Sequence, residues 1–430
     1  MDILKKDKKV VFLLDHPSRD LLPASLIGEQ LNSEYVIDYQ DGFYPPSGPN
    51  FFKRIKGNEA LIVTPSYHVK RTRNIRSMAK FSNAKIVLLH SEQFLAPVSY
   101  REKFNLDCFE EFDKDVVLHL VWNQSFKSLL IKHGIRPEKI KVIGNPKFDS
   151  HRSLRTKKTD KSILFVTNFN AADFSDFEWS KFKKEYFLDE KDLSNVLYQE
   201  IRRNFIQSLT HLASQEYVKN FDIVIRPHPG ENRKAYNELL KFHNIRLSSH
   251  KDLGQDLAKC GLVFLFTSSV AFEAFVMDRP VFAIEWGKLP AELMQPPSED
   301  YNWYQSNEIL DIIKNPSNYN QAITTDQFEK YFGDAHSSAT RNAAKEINIL
   351  LNHIEYSPKR NWFFIAFSKE GILLMLKFII AKIITWKVTP RFLRKRYLSN
   401  YSSWKENDHY CSQEEITIAK NQSKIILKNV

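Results

Sequence analysis

The chain has 430 residues, enough for two domains of ordinary size, and its 43% apolar and 26% charged content with 32 Phe and 17 Tyr excludes a disordered chain. Cys108, Cys260 and Cys411 stand far apart without Cys-x-x-Cys spacing, which argues against a structural zinc site and a disulfide framework and for a reducing compartment. The net charge of +11 is local: residues 359–396 carry ten basic side chains against one acid, Glu370, and so hold nine of those charges.

Along the chain, the N-terminal apolar run VVFLL is too short for a signal-peptide core and reads as a first strand. Short apolar runs then alternate with amphipathic ones. KVVFLLD, LLPASLIGEQL, YVIDY, EALIVTP, a basic helix-like stretch over 69–81, AKIVLLH, VVLHLVW, FKSLLIKHGI and IKVIGNP follow in order. Continuous apolar runs predict strands buried on both faces of a parallel sheet, with helices as crossovers. VIGNPKFD, Val142 to Asp149, reads as a hinge closing this first domain, residues 1–150. The polar stretch Ser150 to Asp160 reads as a linker.

A second alternating set spans residues 161–355: SILFVTNF, a helix over 193–218, FDIVIRPHP, a helix over 232–243, IRLSS, a helix near 253–259, LVFLFTSS, VAFEAFVM and RPVFAIEW. The fold class is therefore α/β, as two doubly wound Rossmann-like domains facing a cleft. Residues 359–398 are apolar, aromatic and basic at once. Their interrupting lysines disfavour a spanning helix, which needs about 20 nearly uncharged residues, and favour one lying on an anionic membrane surface, the alternative being a C-terminal helix packed on a domain with its lysines solvated. A polar tail, 399–430, ends the chain. The apolar residues between these basic ones are too many for a surface that tracks nucleic-acid phosphates.

Two stretches carry the chemistry. In FDIVIRPHPGEN, Pro227 and Pro229 stop a strand and leave Arg226 and His228 at its carboxyl end, where open α/β sheets bind ligands. In FTSSVAFEA, a strand ends at Thr267, Ser268 and Ser269 before a helix whose Glu273 is one turn in. Taken singly, the serines can merely cap, Glu273 can complement the helix dipole and His228 can be a core imidazole. Taken together they make a nucleotide phosphate pocket, with Glu273 placed to accept from ribose hydroxyls. In the first domain Asp15, His16, Arg19 and Asp20 follow the first strand, and His90, Glu92 and Gln93 follow another. Glu92 is a candidate general base for an acceptor hydroxyl. There is no Gly-x-Gly-x-x-Gly after the first strand, no P-loop, no His-Glu-x-x-His and no Asp-x-Asp pair, so metal-independent transfer with no cofactor is expected.

In this order, SRDLLPASLIGEQL, HSEQF, VIGNPKFD, ILFVTNFN, VIRPHPGEN and TSSVAFEAFVMDRPV resemble the bacterial surface-carbohydrate biosynthesis proteins of GT-B type. The resemblance covers about residues 10–350. It implies a glycosyltransferase that moves a sugar from a nucleotide donor, a CMP-sugar being favoured, to a lipid-linked or polysaccharide acceptor of capsule, O-antigen or lipopolysaccharide. It further implies donor binding by Arg226, His228, Ser268, Ser269 and Glu273 and an acid/base role for Glu92; by their places at strand ends Thr267 joins the donor set and Asp15 and Arg19 the catalytic set. The expected location is the cytoplasmic face of the cell membrane, with no nucleic-acid partner. Alternatives are a CDP-glycerol glycerophosphotransferase, a nucleotide-sugar epimerase and a non-catalytic scaffold of a polysaccharide assembly complex.

Overall fold

The protein is described here by a computed structural model. It covers residues 8–14, 17–41, 60–65, 84–90, 116–155, 161–186, 195–250, 252–289, 298–334, 337–354 and 412–428, together with Ile75 and Ala79. These divide into two compact units, with the chain passing to the second after Asp149 and returning to the first after Tyr331.

The first unit is built on strands β1 (Lys8–Leu14), β2 (Tyr35–Asp41), β3 (Ala60–Thr64), β4 (Lys85–Leu89), β5 (Val116–Val121) and β6 (Ile140–Val142), with helix α1 (Pro17–Gly28) after β1. They pair in parallel in the order β2-β1-β3-β4-β5-β6. Every residue of β3 is buried, as a strand covered on both faces requires. The order reverses between β1 and β3.

One cover of this sheet comes from the end of the chain. Helix Ala339–His353 buries Ala343, Ala344, Ile347 and Leu351 in the same core as Val10, Phe12 and Leu61, and Ile416 and Ala419 of helix Gln413–Lys428 join it. The boundary expected near residue 355 is thus corrected: the apolar stripe of Ala339–His353 finds its partner in the first sheet, which alternation of elements alone does not reveal. The expected hinge VIGNPKFD is an anchor for that helix. Asp149 Oδ2 accepts from Thr340 N at 2.7 Å, Thr340 Oγ1 at 2.8 Å and Ser338 Oγ at 3.1 Å. Gly144 sits at φ +85°, and a Cβ there would stand 3.2 Å from Ala339 Cβ.

The second unit has β7 (Ser162–Val166), α2 (Asn195–Ser214), β8 (Asp222–Arg226), β9 (Ile245–Leu247), α3 (Leu253–Lys259), β10 (Leu262–Leu265), α4 (Val270–Val276), β11 (Val281–Glu285) and β12 (Trp303–Gln305). All pair in parallel in the order β12-β11-β10-β7-β8-β9, reversing between β7 and β10. Its core is aromatic, with Phe165, Phe169, Phe205, Phe264, Phe282 and Trp286 packed from sheet and α2.

Two local expectations fail here. Residues 232–243 are not one helix but two three-residue-type turns, Arg233–Tyr236 and Leu239–Lys241. Tyr236 and Leu239 are both fully buried, and their spacing of three suits the tighter turn. The expected linker starts as helix Pro146–Ser153, with Ser150 and His151 buried. Arg155 then clamps the end of α4, donating from Nε and Nη2 to Val276 O at 2.8 and 2.5 Å.

Candidate functional site

The carboxyl edge of the second sheet is level across its centre: Val166 pairs with Arg226 on one side and with Leu265 on the other. The exits of β7, β8 and β10 therefore leave side by side, and β8 and β10 stand two strand spacings apart, roughly 10 Å. In open α/β sheets a strand-order reversal such as the one between β7 and β10 is where ligands bind. Asn168 spans it, donating from Nδ2 to Thr267 O at 2.8 Å.

On the other side a buried carboxylate joins β7 to β8. Glu231 Oε1 accepts from Phe169 N at 2.9 Å, His228 N at 3.0 Å and Thr167 Oγ1 at 3.0 Å, while Oε2 accepts from Thr167 Oγ1 at 2.9 Å and from the Tyr236 hydroxyl. Burial raises the Glu231 pKa above the usual carboxylate range, and the bonds from Tyr236, Phe169, His228 and Thr167 pull it part of the way back. Glu231 and the β7 exit lie within VIRPHPGEN and ILFVTNFN, but neither is given a role from sequence. The signal was present in the spacing His228-x-x-Glu231, which resembles a reciprocal cap.

His228 lies at the surface of the β8 exit. Gly230 N donates to its Nδ1 at 3.1 Å, so the proton of the neutral ring sits on Nε2. The protein packed around the ring lowers its pKa, although the residue as a whole is exposed. The group offered at this exit near neutral pH is therefore an uncharged N–H donor.

Arg226 behaves otherwise than expected. Its Nη1 lies 2.5 Å from Asp256 Oδ2, 3.0 Å from His250 O and 3.3 Å from Ser248 Oγ. Asp256, with a side chain 2% exposed, also accepts from Ser248 Oγ at 2.6 Å and pairs with His250 Nδ1 at 2.6 Å. The guanidinium is engaged in neutralising a buried carboxylate of α3. Proline-stopped strand ends signal where a side chain leaves the sheet, but not that an acid 30 residues later will take it.

At the β10 exit Thr267 and Ser268 are half-buried and Ser269 is exposed. Ser268 Oγ accepts from Val270 N at 3.3 Å, whereas Ser269, the residue preceding α4, makes no capping bond with its side chain. Ser268 O accepts from the Tyr301 hydroxyl at 2.6 Å. Glu273 shares a helical stripe with Ser269, yet it is only 6% exposed and buried in the unit, near enough to Tyr301 to help hold that phenol's pKa up, after burial itself. A position open to ribose, as its spacing suggested, is not what the helix presents. The second unit thus brings His228, Thr267, Ser268 and Ser269 to one edge, engages Arg226 with Asp256 and buries Glu273.

In the first unit Asp15, His16, Glu92 and Gln93 lie outside the described residues, as does the basic stretch 359–398. Arg19, on α1, meets Asp20 with Nε–Oδ1 at 2.7 Å and Nη2–Oδ2 at 3.2 Å. His90, beyond β4, is fully buried with Nε2 3.2 Å from Nδ1 of His119 in β5. Burial, then the neighbouring imidazole, holds its pKa well below the usual histidine range. Among the described residues no three His, Cys, Asp or Glu side chains cluster in a way that could hold a metal ion, and no helix is long and apolar enough to cross a membrane.

No protein-family model matches the chain, and a search of curated proteins finds no match. Solved structures do match in fold. A UDP-N-acetylglucosamine 2-epimerase superposes with a TM-score of 0.51 at 13% identity, covering 83% of this chain and 98% of that one. The UDP-N-acetylglucosamine 2-epimerase of Rickettsia bellii gives 0.50 at 13%, covering 83% and 100%, and a putative one from Listeria monocytogenes gives 0.50 at 14%, covering 82% and 98%. With two six-stranded parallel sheets of this topology, the chain has the GT-B type of fold, with two Rossmann-like domains.

Proposed function

We propose that this protein is a nucleotide-sugar-dependent glycosyltransferase of bacterial surface-carbohydrate synthesis, with the donor phosphate held at the strand-order reversal of the second sheet. The observation that supports it most is the convergence there of the His228 imidazole and the Thr267, Ser268 and Ser269 segment on either side of β7. In this reading His228 Nε2–H donates to a phosphate oxygen as the glycosidic bond breaks, and the serine hydroxyls donate to the same charge. Donors fixed before the reaction stabilise a leaving phosphate without reorganising. Glu92 is proposed as the base that takes the acceptor hydroxyl proton, with Asp15 and Arg19 as further catalytic residues, and a CMP-sugar as donor. Residues 359–398 are proposed to hold the enzyme at the inner face of the membrane, next to a lipid-linked acceptor.

Thermal-shift titration with CMP, CDP and UDP tests the site, since only a ligand of the native state raises its stability. His228→Ala should abolish that shift and donor turnover while the protein stays folded. A retained shift overturns the reading. An epimerase reading is the second, because the solved structures of this fold named above are UDP-N-acetylglucosamine 2-epimerases. It requires conversion of UDP-N-acetylglucosamine with no acceptor present, which a transferase does not perform.

A further inference from the structure

We infer that Glu231 is a positioning residue of the donor site, acting through His228. The inference rests on the proposed function for its consequence, and on geometry for its mechanism. His228 and Glu231 close a reciprocal turn: His228 N donates to Glu231 Oε1 at 3.0 Å, and Glu231 N donates back to His228 O at 2.9 Å. That turn fixes Pro229 and Gly230 between them, and Gly230 N is the donor that holds His228 Nδ1.

The same Oε1 also accepts from Phe169 N, so one oxygen sets the β8 exit against the β7 exit. A carboxylate suits the task because every group around it is a donor: two amides, the Thr167 hydroxyl and the Tyr236 hydroxyl. A leucine removes both acceptor oxygens, whereas a glutamine can keep one oxygen on both amides and turn its N–H₂ to the Thr167 and Tyr236 hydroxyls, which also accept. Loss of the acceptor releases the turn, frees Gly230 N from Nδ1, and lets the ring take either tautomer. Glu231 touches no reacting atom in this account.

The test has two readouts on the full chain. Nitrogen-15 chemical shifts of the His228 ring in the unliganded protein report its tautomer, and thermal-shift titration with UDP, CDP and CMP reports affinity. Wild type should show Nε2–H almost alone. Glu231→Leu should mix the tautomers and weaken nucleotide binding at least tenfold, and Glu231→Gln should change both less. Tyr236→Phe, which leaves both amide bonds in place, should change neither. A folded Glu231→Leu protein with an unaltered ring and unaltered affinity overturns the inference. If that variant does not fold, Glu231→Asp carries the same readouts, because its carboxylate is one methylene short of both amides. An Asp variant that also fails to fold overturns the positioning role in favour of a purely structural one. His228→Ala separates the two levels: intact affinity there defeats the proposed function, while the tautomer measurement still decides Glu231.

Discussion

Replacing Arg226 by Met should cost stability and leave nucleotide affinity nearly unchanged. The side chain it abandons is Asp256, 2% exposed, which loses its contact with Arg226 Nη1 at 2.5 Å and keeps those from Ser248 and His250 at 2.6 Å each. Deleting one partner of a buried ion pair costs about 3–5 kcal/mol. The surviving donors and the 19% exposure of Arg226 reduce this, leaving roughly 2–3 kcal/mol. For a unit of this size that corresponds to a midpoint about 4–12 °C lower. Scanning calorimetry of the full chain reads the midpoint, and nucleotide titration reads the affinity. Arg226→Met combined with Asp256→Leu should recover much of the loss, because the carboxylate left unneutralised is the main cost. An unchanged midpoint with a tenfold loss of nucleotide affinity would refute the reasoning and return Arg226 to the ligand.

The neutral imidazole sets a direction of pH dependence. Protonating His228 Nδ1 breaks its bond from Gly230 N, so affinity for a nucleotide sugar whose phosphates do not titrate near neutrality should fall as pH drops from 7.5 to 5.5. A cationic phosphate binder would do the reverse, and titration calorimetry across that range separates the two. Asp149→Ala removes the acceptor of three bonds at the start of helix Ala339–His353 and should destabilise the first unit by about 2 kcal/mol, read as a lowered unfolding midpoint. His90 is neutral in the fold, with its pKa lowered. The stability this confers is complete above the unfolded-state pKa of about 6.5 and is lost as pH falls below it. Thermal unfolding at pH 7.5 and 5.5 should show a drop for wild type that is smaller in His90→Gln.

The fold was legible because parallel strands buried on both faces write themselves as unbroken apolar runs. KVVFLL, ALIVT, SILFV and LVFL all stand where such runs predict strands. What sequence order could not show was which surface a helix would cover. Helix Ala339–His353 follows the second domain in the chain, and its stripe of Ala343, Ala344, Ile347 and Leu351 fits any apolar face. Its return to the first sheet depends on Asp149, nearly 200 residues earlier.

The candidate site divides in the same way. Proline placement located the β8 exit, and the Thr-Ser-Ser run located the β10 exit, since backbone breaks and capping chemistry are local properties. The partners of charged side chains are not local. Arg226 and Glu273 looked like the ligand-binding groups because they carry charge, and charge is what the interior must neutralise first: Arg226 is taken by Asp256 and Glu273 is drawn inward. Left at the open edge are groups that burial does not claim, a neutral imidazole and three small hydroxyls. Glu231 inverts the pattern, as an acid buried among donors whose effect emerges two residues away at the His228 ring. A phosphate met by such a set would be recognised by the placement of N–H and O–H groups, with the geometry of the turn deciding affinity more than the charge count.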